Sequence, residues 1–294
     1  MRLRTLLLPA SEGAPSLLLL PGRADFLEKW AETLSDLHAL GVSVASLDWR
    51  GQGLSTREVD NGTGHIDSFD VYLSDLDRAA AAFAAERPGP WAVLAHSMGA
   101  HLQLRWLGAP GASAHPLRAR LRAVVLTAPF FGLALPRPLG ALALAAARLK
   151  VRCGHGRRYA WGQGPLAPHA AAAPARAALL THDTARLSAE AALLAQDPRL
   201  LCSGVTWGWL SAFADSAQSV RRAALERLFL PVLALLAGAD RLVSNRAARR
   251  VLARLPAARI ETVAGARHEL LRERDPIRAA CLRRIRAHLA GHLI

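Results

Sequence analysis

Residues 91–104, WAVLAHSMGAHLQL, constrain this chain more than any other stretch. An apolar run from Trp91 to Ala95 leads directly into His96-Ser97-Met98-Gly99, and a helix-compatible segment follows. This is the sequence form of a nucleophile elbow, a serine held at a sharp strand-to-helix turn. Crowding at such a turn demands small residues two before and two after the serine. Ala95 and Gly99 meet that demand. The first position is usually Gly, so this is a variant of G-x-S-x-G. The turn would expose the Ser97 hydroxyl and aim backbone N–H groups at an incoming carbonyl oxygen. An ordinary serine in a strand–helix connection would read the same way, so the rest of the chain must supply the chemistry.

A serine nucleophile needs a base, and the base needs an acid to orient it. The segment FLPVLALLAGAD, residues 229–240, is a buried-strand run ending in Gly238-Ala239-Asp240. The segment ARIETVAGARHELLRE, residues 258–273, is a strand, a short turn carrying His268, and a helix-like stretch. Ser97, Asp240 and His268 thus follow the chain order nucleophile, acid, base. The long gap from 97 to 240 leaves room for an insertion. The short gap from 240 to 268 fits one helix, Asn245–Leu255. Each candidate lies just past the carboxyl end of a strand, where open α/β sheets place their sites. Taken singly, Asp240 would also serve as a helix cap and His268 as an ordinary turn histidine. His96 and His101 flank the serine too closely to act on it easily.

Strand-like runs recur at 3–8, 16–20, 42–47, 91–96, 123–128, 231–237 and 258–263. Helix-length amphipathic stretches lie between most of them, as at 26–40 and 69–86. This alternation predicts an α/β fold, a mostly parallel sheet flanked by helices, with an antiparallel hairpin expected near the N-terminus. The alternation breaks between residues 131 and 224, which are rich in Ala, Arg and Pro. We expect a core of residues 1–130 and 225–294 with a helical lid inserted at 131–224. Phe130, Phe131, Trp207 and Trp209 are the aromatic candidates for an acyl-chain slot, or for simple packing of lid on core.

With these residues in hand, the chain resembles the α/β-hydrolase superfamily, and within it the bacterial lysophospholipase (L2-like) and monoacylglycerol lipase branch. LLLLPGRADFLEKW (17–30) is similar to that branch's first oxyanion loop. SLDWRGQGLS (46–55) is similar to its D-x-R-G-x-G-x-S signature. AHSMGAH, GADRLVS and ARHELLRE correspond to its elbow, acid turn and histidine turn. THDTAR (181–186) and VTWGWL (205–210) resemble lid segments. Pro21 replaces the His that often opens the oxyanion loop, and Ala95 replaces Gly. The resemblance implies an oxyanion hole made by the backbone N–H groups of Arg23 and Met98. It gives Asp48, Arg50 and Ser55 a structural part in bracing the Gly51–Gly53 turn. It implies a monoacyl lipid ester as substrate, a lysophospholipid or a monoacylglycerol, cleaved through an acyl-enzyme without a cofactor. A general carboxylesterase, acyl transfer to an alcohol and a non-catalytic lipid-binding relative are the rivals; the last would generally have lost a member of the Ser-His-Asp set.

Composition bears on partners. The net charge is +14, and only Lys29 and Lys150 among the 37 Lys and Arg residues are lysine. A basic surface favours anionic membranes or nucleic acid. No nucleic-acid-binding motif is visible, so peripheral contact with an anionic membrane is the expected alternative to a dispersed solvated charge. Arg152, Arg157 and Arg158 form a basic cluster that could draw in a phosphate. Cys153, Cys202 and Cys281 are widely spaced, suit a reducing, cytoplasmic compartment and form no metal pattern. No His or acid pair has ligand-like spacing, so no metal is expected. The N-terminal apolar run is too short for a signal peptide, and the run 139–149 falls short of the roughly 20 residues of a membrane helix. Oligomeric state is not legible.

Overall fold

The apolar runs become the strands of one sheet. The computed structural model describes residues 1–59, 62–109 and 115–294. Its strands are β1 (Thr5–Leu8), β2 (Ser16–Leu20), β3 (Ser43–Leu47), β4 (Trp91–His96), β5 (Leu121–Thr127), β6 (Val232–Ala237) and β7 (Ala258–Val263). They lie in the order β1-β3-β2-β4-β5-β6-β7. Every neighbouring pair is parallel except β1–β3. All residues of β2, β3, β4 and β6 are buried. That is why these runs read as continuous apolar stretches: both faces of a parallel sheet are covered.

The expected N-terminal hairpin does not form. β1 pairs antiparallel with β3, Thr5 opposite Leu47, while β2 lies on the far side of β3 and runs parallel to it. The fully buried β2 takes an interior position between β3 and β4. The partly exposed β1 takes the edge, where an unpaired side can face water.

Side-chain alternation divides the core into two layers. Leu18 and Leu20 of β2 pack on one face with α2 (Asp70–Glu86) and α3 (Met98–Leu107). Leu17 and Leu19 pack on the other with α1 (Ala31–His38) and α10 (Asp275–His292). The expected helix 26–40 is split: residues Leu27–Trp30 form a 3-10 turn before α1. The short α4 (Pro116–Arg120) runs straight into β5, which therefore begins before residue 123.

Between β5 and β6 lie α5 (Arg137–Arg152), α6 (Pro174–Leu180), α7 (Thr184–Gln196) and α8 (Trp207–Arg222). Thr206 caps α8 by accepting from the Trp209 N–H, and Asp183 caps α7 by accepting from the Arg186 N–H. α8 buries Trp209, Leu210 and Phe213 in the core. The end of α6 reaches the far edge of the sheet, where the carbonyl of Leu180 accepts the Glu269 N–H at 2.8 Å. Among the described residues, no helix is long and apolar enough to cross a membrane. α9 (Asn245–Leu252) fills the β6–β7 connection.

Candidate active site

β4 ends at His96 and α3 begins at Met98, so Ser97 alone makes the turn between them. Its φ of 49° and ψ of −111° lie in a region that non-glycine residues rarely occupy. Such a conformation costs about 1–3 kcal/mol and persists only where the surroundings enforce it. The surroundings here are backbone. A Cβ on Gly99 would collide with the carbonyl oxygen of Leu20 and come within 2.6 Å of that of Pro21. Met98 opens the helix, so its N–H has no acceptor within it. Across from the elbow, the loop at Gly22 comes so close that a Cβ there would lie 3.2 Å from the Ser97 Cβ. The Gly22 N–H donates to Asp25 Oδ2 at 2.7 Å, which fixes the Pro21–Gly22 peptide just before Arg23.

His268 and Asp240 meet this serine. His268 Nε2 is 3.0 Å from Ser97 Oγ, and His268 Nδ1 is 2.7 Å from Asp240 Oδ2. Asp240 does not cap the helix that follows; Ser244 does. Instead Asp240 Oδ1 accepts the N–H groups of Leu242 and Val243 at 2.8 and 2.9 Å. Burial pushes the Asp240 carboxyl upward, but the His268 bond and the two amides outweigh it, and the group sits below the usual carboxylate range. An ionised Asp240 requires the proton of His268 on Nδ1, which leaves Nε2 free to take one from Ser97. His96 and His101 are no rivals. Burial, aided by His268, pushes His96 down to about 4, and its Nδ1 faces Thr127 Oγ1 at 3.2 Å. His101 is spent on Ser216 Oγ at 2.6 Å.

The signature at 46–55 is a brace. Asp48 Oδ1 accepts the Leu27 N–H and Oδ2 the Leu54 N–H, both at 2.9 Å. Ser55 Oγ donates to the Asp48 carbonyl, and Arg50 makes two bonds to Asp75. A Cβ on Gly53 would collide with the Asp48 carboxylate.

Beside the histidine turn lies a buried charge cluster that the sequence did not announce. Lys29 Nζ is 2.7 Å from Asp25, 2.6 Å from Glu269 and 3.5 Å from Glu190. Arg272 lies 2.7 Å from Glu269 and 2.5 Å from Glu190, and Arg176 lies 2.8 Å from Glu190. Burial opposes the charge of Glu269, but Lys29 and Arg272 hold its carboxyl well below the usual range. The one available signal was Lys29 itself, a lysine set among Phe26, Leu27 and Trp30.

A cavity of about 570 Å³ opens at Ser97 and His268. Phe130 and Trp209 line it, together with Leu133, Leu179 and Leu210. Phe131 and Trp207 do not; both pack in the core instead. Phe131 turns toward His101 and two separate clefts by Ala217 and Arg221. Trp207, in the first turn of α8, stands edge-on to Trp161 at 4.9 Å between ring centres. Trp207 is buried in the same core cluster as Trp209, Leu210 and Phe213, but on a different side of α8, off the cavity wall. Arg152, Arg157 and Arg158 lie exposed and away from the cavity walls. The arginines at the cavity are Arg23 and Arg176. Among the described residues, no group of three or more His, Cys, Asp or Glu side chains is arranged to hold a metal.

A family model described as serine aminopeptidase, S33, matches residues 12–275. The chain is 33% identical over 285 residues to lysophospholipase L2 of Escherichia coli K12, covering 91% of this chain and 78% of that one. It is 28% identical over 286 residues to a probable lysophospholipase L2 of Haemophilus influenzae, covering 96% and 86%. Among solved structures it resembles a soluble variant of the monoglyceride lipase of Saccharomyces cerevisiae, with a TM-score of 0.76 at 15% identity, covering 99% and 92%. It also resembles the monoacylglycerol lipase of Paleococcus ferrophilus, with a TM-score of 0.68 at 18% identity, covering 98% and 100%. At such identities the likeness is one of fold.

Proposed function

Starting from a chain that belongs to the serine aminopeptidase S33 family of α/β-hydrolases, we propose a serine hydrolase that cleaves the carboxylic ester of a monoacyl lipid. A lysophospholipid is the first choice of substrate and a monoacylglycerol the second. The observation that carries this is the hydrogen-bonded run Ser97–His268–Asp240 at the mouth of a cavity with apolar walls. The curated relatives named lysophospholipase L2 support the choice of headgroup class.

In this mechanism Ser97 Oγ attacks the ester carbonyl carbon as His268 Nε2 takes its proton. Asp240 holds the imidazole in the productive tautomer and stabilises its charged form. The N–H groups of Met98 and Arg23 hold the oxyanion; removing one such donor typically costs roughly 2.7–4 kcal/mol of transition-state stabilisation. The carbon–oxygen bond to the leaving group breaks as His268 returns the proton to the departing alcohol. His268 then takes a proton from water, whose oxygen attacks the acyl-enzyme, and the fatty acid leaves with Ser97 restored.

Residues 131–224 act as a lid on a core of residues 1–130 and 225–294. In support, the cavity wall combines core residues such as Phe130 with Leu179 and Trp209 from the segment between β5 and β6. Phe130 and Trp209 line the acyl slot, where each buried methylene is worth about 0.8 kcal/mol. The free cysteines suit a cytoplasmic compartment. Peripheral contact with an anionic membrane is supported by the exposed Leu139, Leu142 and Trp161, which lie near Lys150 and Arg152 in the chain.

The deciding experiment is fatty-acid release from a long-chain lysophosphatidylcholine and a matched monoacylglycerol, for wild type and Ser97→Ala. Release that vanishes in the mutant is expected. Release that survives it, or no release by folded wild type, would overturn the proposal.

A further inference from the structure

Three cationic side chains line the cavity at Ser97: Arg23, Lys29 and Arg176. Two of them face carboxylates, Lys29 those of Asp25 and Glu269, Arg176 that of Glu190. Arg23 differs. Among the described residues, no carboxylate lies within ion-pair distance of its guanidinium. Its Nη2 donates to the backbone carbonyls of Thr63 and Ser203 at 2.7 Å and of Gly204 at 3.1 Å. The group lies over the Trp209 ring at 5.4 Å, and its Nε is buried with no acceptor among the described residues.

These contacts orient the guanidinium without neutralising it. A fixed positive charge on a mostly apolar wall, with donor capacity left over, is matched by an anion, and a planar guanidinium suits phosphate oxygens. The carboxylates on the same wall do not compete for it, because Asp25 is held by Lys29, and Glu269 by Lys29 and Arg272. Position adds to this. Arg23 directly follows Gly22, the residue whose backbone closes on the elbow. Its own N–H is the proposed second donor to the ester oxygen. In a lysophospholipid, the phosphodiester is joined to the reacting ester by a glycerol unit alone.

We propose that the Arg23 side chain binds the phosphodiester of a lysophospholipid headgroup, so that one residue faces the ester with its backbone and the phosphate with its guanidinium; this rests on the ester-hydrolase reading above. Arg23 is then the residue that favours phospholipid over neutral glyceride. The surface cluster Arg152, Arg157 and Arg158 has no part in it.

The test compares kcat/KM for lysophosphatidylcholine and for monoacylglycerol of the same chain in wild type, Arg23→Lys and Arg23→Gln. The expected result is a lysophospholipid-to-glyceride ratio at least tenfold lower in Arg23→Gln, carried by KM, with Arg23→Lys in between. An equal loss on both substrates would reduce Arg23 to a strut for the carbonyls of residues 63, 203 and 204 and overturn the proposal. Should the variants not fold, calorimetric titration of wild type with glycerophosphocholine and with glycerol decides the matter without turnover. Binding of the phosphodiester at least tenfold tighter than glycerol is expected, and equal or undetectable binding of the two overturns it. Failure of the hydrolase reading is seen separately, as ester hydrolysis that does not depend on Ser97.

Discussion

Lys29 Nζ lies 2.6 Å from Glu269 Oε1, and Glu269 is the residue directly after the histidine that reaches Ser97. The pair joins the loop that faces the elbow to the turn that carries His268. Glu190 of α7 extends the same cluster into the segment between β5 and β6. Glu269→Gln leaves Lys29 with fewer counter-charges and should cost about 3 kcal/mol at neutral pH. The Glu269 carboxyl is depressed below its ordinary 4.5. Its contribution is therefore full above that value and is lost as pH falls through the depressed one. Urea denaturation should show the wild-type advantage at pH 7 shrinking by about pH 3.5. An advantage that grew in acid would contradict the assignment.

Asp240→Asn should keep the fold and lower kcat roughly 10⁴-fold, because an amide donor facing Nδ1 favours the wrong tautomer of His268. KM for a short-chain ester should move little. A kcat within about tenfold of wild type would remove Asp240 from the mechanism.

Gly99→Ala drives a methyl group into the backbone oxygens of Leu20 and Pro21. Neither oxygen can rotate away as a side chain would. We expect a loss of about 3 kcal/mol in stability together with loss of ester turnover, read by thermal unfolding and a chromogenic ester. Ala95→Gly restores the commoner form of the motif. It should cost only about 1 kcal/mol and leave turnover in place.

His96 and His101 are both held neutral, His96 pushed down to about 4 and His101 to about 3, by burial first in each case. Their imidazole proton resonances should stay at the neutral position down to about pH 5. An unfolded chain binds more protons than the folded one between these values and the ordinary 6.5. Stability from these two groups is thus complete above 6.5 and declines as pH drops toward 4. A midpoint near 6.5 for either resonance would show that it is solvated.

The strands were legible because burial on both faces leaves an unbroken apolar run with sharp ends. β2 and β4 end where the sequence places them. That Ser97, Asp240 and His268 would meet was legible because each follows the carboxyl end of a strand. The partner of β1 was not: a hairpin is the local solution, and only the competition of β3 and β4 for the interior β2 excludes it. Which of the four aromatics would line the cavity and which would pack in the core was not legible, because composition marks an aromatic-rich segment without saying which way each ring turns. The cluster around Lys29 was hidden for a plainer reason. Its members are as far apart as residues 25 and 272, and no local period relates them.

The order of the sheet has a consequence for a chain still being made. Ser97 follows β4, a strand near the centre of the sheet, whereas Asp240 and His268 follow β6 and β7, which add outward from β5 at one edge. On the ribosome Ser97 emerges 171 residues ahead of His268. A nascent chain can therefore complete the elbow and much of its sheet while remaining chemically inert. The contact between Ser97 and His268 can form only once β7 has docked and the turn after it has followed.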